Sequence, residues 1–114
     1  MFQTKITRML GIKYPIVMGT MMHLARAEMV ASACNAGALG ILASAMFQTK
    51  EAFRDELKKL RNLTDKPFAV NLNLAPTMHP IDNLEYLEVA AAEGVKIIET
   101  SGRRIADEIP EQCK

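Results

Sequence analysis

Four short apolar runs alternate with segments of helical spacing, and that alternation restricts the fold of this chain more than any other property of its sequence. The runs are Ile16–Met18, Ala38–Ala43, Phe68–Leu72 and Val95–Thr100. Each is too brief for a buried helix and is bounded on at least one side by Pro, Gly or Ser, so each reads as a buried strand. Strands and helices that recur about every thirty residues argue for an α/β fold with a parallel sheet and right-handed crossovers. The expectation is one domain over residues 1–114, with three complete βα units, a fourth strand and part of a fourth helix.

The first unit shows how the residues set these limits. Pro15 fixes its own φ and suits the start of a strand, and Gly19 ends the run. Helical spacing follows from Ala25 to Asn35, with Leu24, Ala27, Val30, Ala31 and Cys34 on one face. Thr49 caps the next helix, which presents Phe53, Leu57, Leu60 and Leu63 on one side and a solvated charged face on the other. A third helix starts at Asp82 or Asn83, runs through Leu84, Leu87 and Ala91, and stops at Gly94. Ahead of the first strand, Thr4–Leu10 forms one or two helical turns stopped by Gly11, a lid on the underside of the sheet.

In parallel α/β folds, ligands gather at the carboxyl ends of the strands. Gly19, Thr20, Met21 and Met22 fall there. Either Gly19 only makes the turn and both Met residues fill the core, or the backbone is kept bare so that a ligand can approach. Asn71, polar at the far end of an apolar strand, either caps a local turn or points a donor at a ligand.

Composition narrows the partners. Lys and Arg are interleaved with Asp and Glu at a formal net charge of +1, so no basic stripe marks a nucleic-acid or membrane surface. No apolar stretch reaches a membrane span and no h-region follows Lys5 and Arg8, so the expected setting is the cytoplasm. Cys34 and Cys113 show no metal-ligand spacing and are expected as reduced structural thiols.

The stretches YPIVMGTMM, SACNAGALGIL, LTDKPFAVNLNLAPT and AAEGVKIIETSG, in that order, resemble the first half of the nitronate monooxygenases, formerly called 2-nitropropane dioxygenases. Those are FMN enzymes built on a TIM barrel, and the flavin-dependent enoyl-ACP reductases are close relatives. The resemblance implies that the chain is the N-terminal half of an FMN-binding TIM barrel. The family's first turn usually reads Gln-Gly-Gly-Met or Gln-Gly-Pro-Met and lies against the flavin ring. Gly19 and Met21 match it, with Met22 next, while Met18 and Thr20 depart. Asn71 matches an Asn expected at the flavin's polar edge, and Thr77 matches the Thr of a Pro-Thr pair near the ring. The implied cofactor-binding set is therefore Gly19, Thr20, Met21, Met22, Asn71 and Thr77, with no metal.

The family's catalytic His and its phosphate-gripping loops come from the second half of the barrel. His23 and His79 sit at neither position and read as mouth histidines. Four strands cannot close a barrel and leave two open edges. The chain is thus expected to be a fragment of a longer protein, or to self-associate through its exposed sheet edges. The expected activity is oxidation of alkyl nitronates with O₂; the alternatives are an inactive self-associating half-barrel and an enoyl-ACP reductase-like fragment.

Overall fold

The computed structural model describes residues 3–74 and 82–102. Thr77, His79, Cys113 and the segment Arg103–Ile109 lie outside the described residues. The elements are α1 (Lys5–Leu10), β1 (Val17–Met18), α2 (Ala27–Asn35), β2 (Leu39–Ala43), a 3₁₀ turn (Ser44–Met46), α3 (Lys50–Leu63), β3 (Ala69–Asn73), α4 (Asn83–Ala92) and β4 (Ile97–Ser101). All four strands are parallel, in the spatial order β1-β2-β3-β4. The alternation read from the sequence is therefore the architecture, a helix following each of the first three strands.

Local signals set the boundaries. Thr4 caps α1 in a reciprocal pair with Thr7, and Gly11 stops it in the left-handed conformation. The Thr49 hydroxyl accepts from the Ala52 N–H at 3.1 Å to start α3, and the Asp82 carboxylate accepts from Leu84 and Glu85 to start α4. Each cap satisfies backbone donors that the first helical turn leaves without partners.

Side chains alternate across the sheet with period two, and the two faces have different roles. Leu42, Val70 and Leu72 point outward into the main core, where Val30, Phe53, Leu57, Leu60 and Val89 come from the helices. Leu39, Ile41 and Ala69 form a second cluster on the inner face, covered by Leu10, Ile12 and Ile97. The end of α1 and the residue after its Gly11 stop, Leu10 and Ile12, thus plug the inner face near the start of the strands, the place expected for a lid.

Three expectations are corrected. The first strand, expected to be buried, is a two-residue edge strand with Ile16 at 58% and Val17 at 47% exposure. Among the described residues only β2 pairs with it, so one side has nothing to cover it. In α4 the buried residues are Tyr86, Val89 and Ala90, whereas Leu84 is exposed. The rotation is fixed by Tyr86, whose ring stacks on Phe53 at 5.1 Å and whose hydroxyl donates to the Phe47 carbonyl at 2.8 Å. Leu24 and Leu63, both expected on apolar faces, are exposed as well, because α2 starts only at Ala27 and Leu63 is the last residue of α3.

The charged side of α3 also ties neighbouring helices together. Lys59 pairs with Glu28 of α2, Arg54 reaches Glu93 just past α4 at 3.6 Å, and the Arg61 guanidinium lies over the Phe68 ring.

Candidate functional site

Strand register places the polar residues. Ile41, Ala69 and Ile97 are partners across β2, β3 and β4, and one inward step further along come Ala43, Asn71 and Glu99. The next inward pair is Asn73 and Ser101. The inner face therefore changes from aliphatic to polar toward the carboxyl ends. That polar level lies at the carboxyl ends of the strands, the end where parallel α/β folds gather their ligands.

Those residues line a cavity of about 320 Å³, together with Thr20 and Met22 from the turn after β1. The Thr20 hydroxyl donates to the Glu99 carboxylate at 3.1 Å. β1 and β4 lie three interstrand steps apart, about 14 Å in a flat sheet. The side-chain bond between Thr20, two residues past β1, and Glu99 of β4 spans that distance across the inner face, as a sheet concave on that side allows. This one contact defines the cavity's span.

Asn71 is only 6% exposed. Its amide donates to the Ser101 hydroxyl over a long 3.4 Å, and its backbone carbonyl accepts from the fully buried Ser44 hydroxyl at 2.7 Å. The side-chain partner described for Asn71 is thus Ser101 on the neighbouring strand, thirty residues on, and not a group of its own turn.

Gly19 is exposed, adopts no left-handed φ, and among the described residues a Cβ built on it meets nothing within 4 Å. The chain's own turn therefore does not require glycine there. Met21, Met22 and Leu24 beside it are exposed at 38%, 51% and 64%, an apolar ledge adjoining the polar floor. They are not core filler. His23 takes φ 69° in the turn between them, a conformation His tolerates better than most side chains.

Of the six residues expected from the sequence, Thr20, Met22 and Asn71 share the cavity lining, and Gly19 and Met21 flank it on the same turn. Thr77 lies outside the described residues. Glu99, Ser101, Asn73 and Ser44 went unread in the sequence. The signal for Glu99 was a carboxylate set in the apolar run VKIIET, two residues past Ile97.

A second cavity, of about 490 Å³, lies at the opposite end of the strands, between Lys13, Gly37, Lys66 and Pro67. It reaches Cys34, whose thiol burial pushes up, away from the reactive thiolate form. It is the larger of the two, but among the described strand residues the inward-facing polar side chains, Asn71, Asn73, Glu99 and Ser101, lie at the other end. Among the described residues no cluster of three or more His, Cys, Asp or Glu is placed to hold a metal ion, and no helix is long and apolar enough to cross a membrane.

A concave arc of parallel βα units, plugged at one end and polar at the other, is the first half of a TIM barrel. The same architecture is found in FabK from Thermotoga maritima, with a TM-score of 0.84 and 29% identity over 97% of this chain and 34% of that one. A nitroalkane oxidase from Streptomyces ansochromogenes shares the fold at a TM-score of 0.70 and 24% identity, over 85% of this chain and 36% of that chain.

Residues 3–109 match the model of the nitronate monooxygenase family, and the chain belongs to that family. It is 38% identical over 71 residues to a probable nitronate monooxygenase of Staphylococcus haemolyticus, which is 62% of this chain and 20% of that protein. It is also 36% identical over 95 residues to the (3aS,4S,5R,7aS)-5-hydroxy-7a-methyl-1-oxo-octahydro-1H-indene-4-carboxyl-CoA dehydrogenase of Mycobacterium tuberculosis, covering 83% of this chain and 25% of that one. The chain thus spans between a fifth and about a third of the length of these relatives.

Proposed function

We propose that the chain is the ring-binding part of an FMN-dependent oxidoreductase of the nitronate monooxygenase type. The single observation that carries this is the joining of the β1 turn to the polar ends of β3 and β4 around one cavity, through Thr20 and Glu99. A flavin ring is planar, with apolar faces and one edge rich in carbonyls and ring nitrogens. The residues present suit both parts. Met21 and Met22 offer polarizable thioethers to a ring face, and Gly19 leaves the backbone open to close approach. Asn71, locked by burial, would donate an amide N–H to a ring carbonyl. When bound, FMN would take electrons from an alkyl nitronate and deliver them to O₂. The chain's own residues position the ring, shield one of its faces from water and supply hydrogen bonds at its edge.

Titrating the protein into FMN tests this. Flavin fluorescence is expected to be quenched saturably, and Gly19→Ala is expected to weaken binding about tenfold or more while leaving the thermal midpoint unchanged, because among the described residues the added methyl meets no atom within 4 Å beyond its chain neighbours. Unquenched fluorescence at millimolar protein would refute the proposal.

A second reading is favoured by the exposure of Ile16 and Val17 on the β1 edge: a half-barrel without turnover that self-associates. A dimer in sedimentation that leaves flavin unquenched would support it over the first.

A further inference from the structure

Glu99 is the carboxylate at the polar level of the inner face, and recognition of a flavin's apolar faces gives it no task. Its Oε2 accepts from Thr20 at 3.1 Å, which fixes the side chain between the two ends of the arc. A carboxylate offers about four acceptor positions, and among the described residues Thr20 is the donor that reaches it. Among the described residues the ion pairs are Lys50–Glu85, Arg54–Glu93 and Lys59–Glu28, so no described cation neutralises Glu99. Nor is it one of a group that could hold a metal ion among those residues.

Its neighbour across the sheet completes the pattern. Asn71 and Glu99 are direct register partners on the same inner face, about one interstrand spacing apart, near 4.8 Å. One presents amide N–H groups and the other presents only acceptors. A cyclic imide, in which a ring N–H lies beside a carbonyl, carries the complementary donor and acceptor on one rigid edge.

We propose that Glu99 is a specificity-determining residue of this cavity, accepting a hydrogen bond from the imide N–H of a planar heterocycle while Asn71 donates to the adjacent carbonyl. The inference rests on the flavin reading, whose pyrimidine ring contains such an imide, and it adds a residue and a chemical requirement that the ring faces do not impose. The carboxylate also disfavours ligands that bring a negative charge to this edge, so the cavity selects rings that are neutral there. Thr20 is then a positioning residue, acting through Glu99.

The test compares lumiflavin with 3-methyl-lumiflavin, which differ only at the imide nitrogen and carry no phosphate. A hydrogen bond to a charged group predicts that the wild-type chain binds lumiflavin about tenfold or more tightly than its methylated form. In Glu99→Ala the preference is expected to vanish, and in Glu99→Gln, which keeps the shape and one acceptor, to shrink. Equal binding of both ligands by the wild type overturns the proposal without touching the flavin reading. So does a preference that persists in Glu99→Ala, since it would come from bulk elsewhere. Failure of the wild type to bind lumiflavin at all sinks the flavin reading and this proposal together. Because the wild-type comparison is decisive alone, misfolding of a variant does not rescue the idea.

Discussion

Gly40→Ala will destabilise this chain by about 1–3 kcal/mol or more, although it adds a single methyl group. Gly40 is on the outward side of β2, directly beneath α2. A Cβ there would stand 2.6 Å from the Val30 carbonyl oxygen, 2.9 Å from Val30 Cγ1 and 3.2 Å from Cys34 Sγ. The first of these is helix backbone, which no rotamer change can move. Relief requires α2 to shift off the sheet, opening the core around Val30 and Leu42, both fully buried. Chemical denaturation should show a lower midpoint with the slope retained. An unchanged midpoint would mean that α2 does not pack on β2 as closely as described. The contrast with Gly19→Ala is informative, since the same methyl meets backbone at one site and open space at the other.

Phe53→Ala is expected to cost about 3–5 kcal/mol, the largest single effect in the chain. Phe53 is 0% exposed, lies 5.9 Å from the Phe47 ring and stacks on Tyr86. It joins α3, α4 and the chain leading out of β2, so removing its ring leaves a cavity walled by three elements. With a urea dependence of about 1–3 kcal/mol per molar, the midpoint should fall by at least about 1 M. Leu63→Ala, on the same helix at 44% exposure, is the control, expected within about 1 kcal/mol of wild type. Equal effects at the two positions would contradict the described rotation of α3.

How legible each feature was depended on whether it is local or tertiary. Thr4, Gly11, Thr49 and Asp82 mark helix ends through bonds to their own neighbours, so the sequence contains the whole interaction. The parallel order followed from strands too far apart in the chain for hairpins. The exposure of β1 was not legible, because an apolar run reads alike at an edge and at a centre. Nor was the buried face of α4, where Leu84 competes with Tyr86 and the contacts that decide, stacking on Phe53 and the hydroxyl bond to Phe47 thirty-nine residues away, are tertiary. Asn71 was found because it is polar at the end of an apolar strand. Glu99 was missed for want of register: its significance comes from standing opposite Asn71 and meeting Thr20, seventy-nine positions earlier.

Those three residues carry the central claim, that the ligand site is the polar end of the arc. Nitrogen–proton correlation spectra of the labelled chain, recorded while riboflavin is added, test it directly. The account predicts that shifts concentrate on Gly19, Thr20, Met22, Asn71 and Glu99, with Lys13, Gly37 and Lys66 unmoved. Shifts centred instead on those last three, around the larger cavity at the other end of the strands, would contradict it.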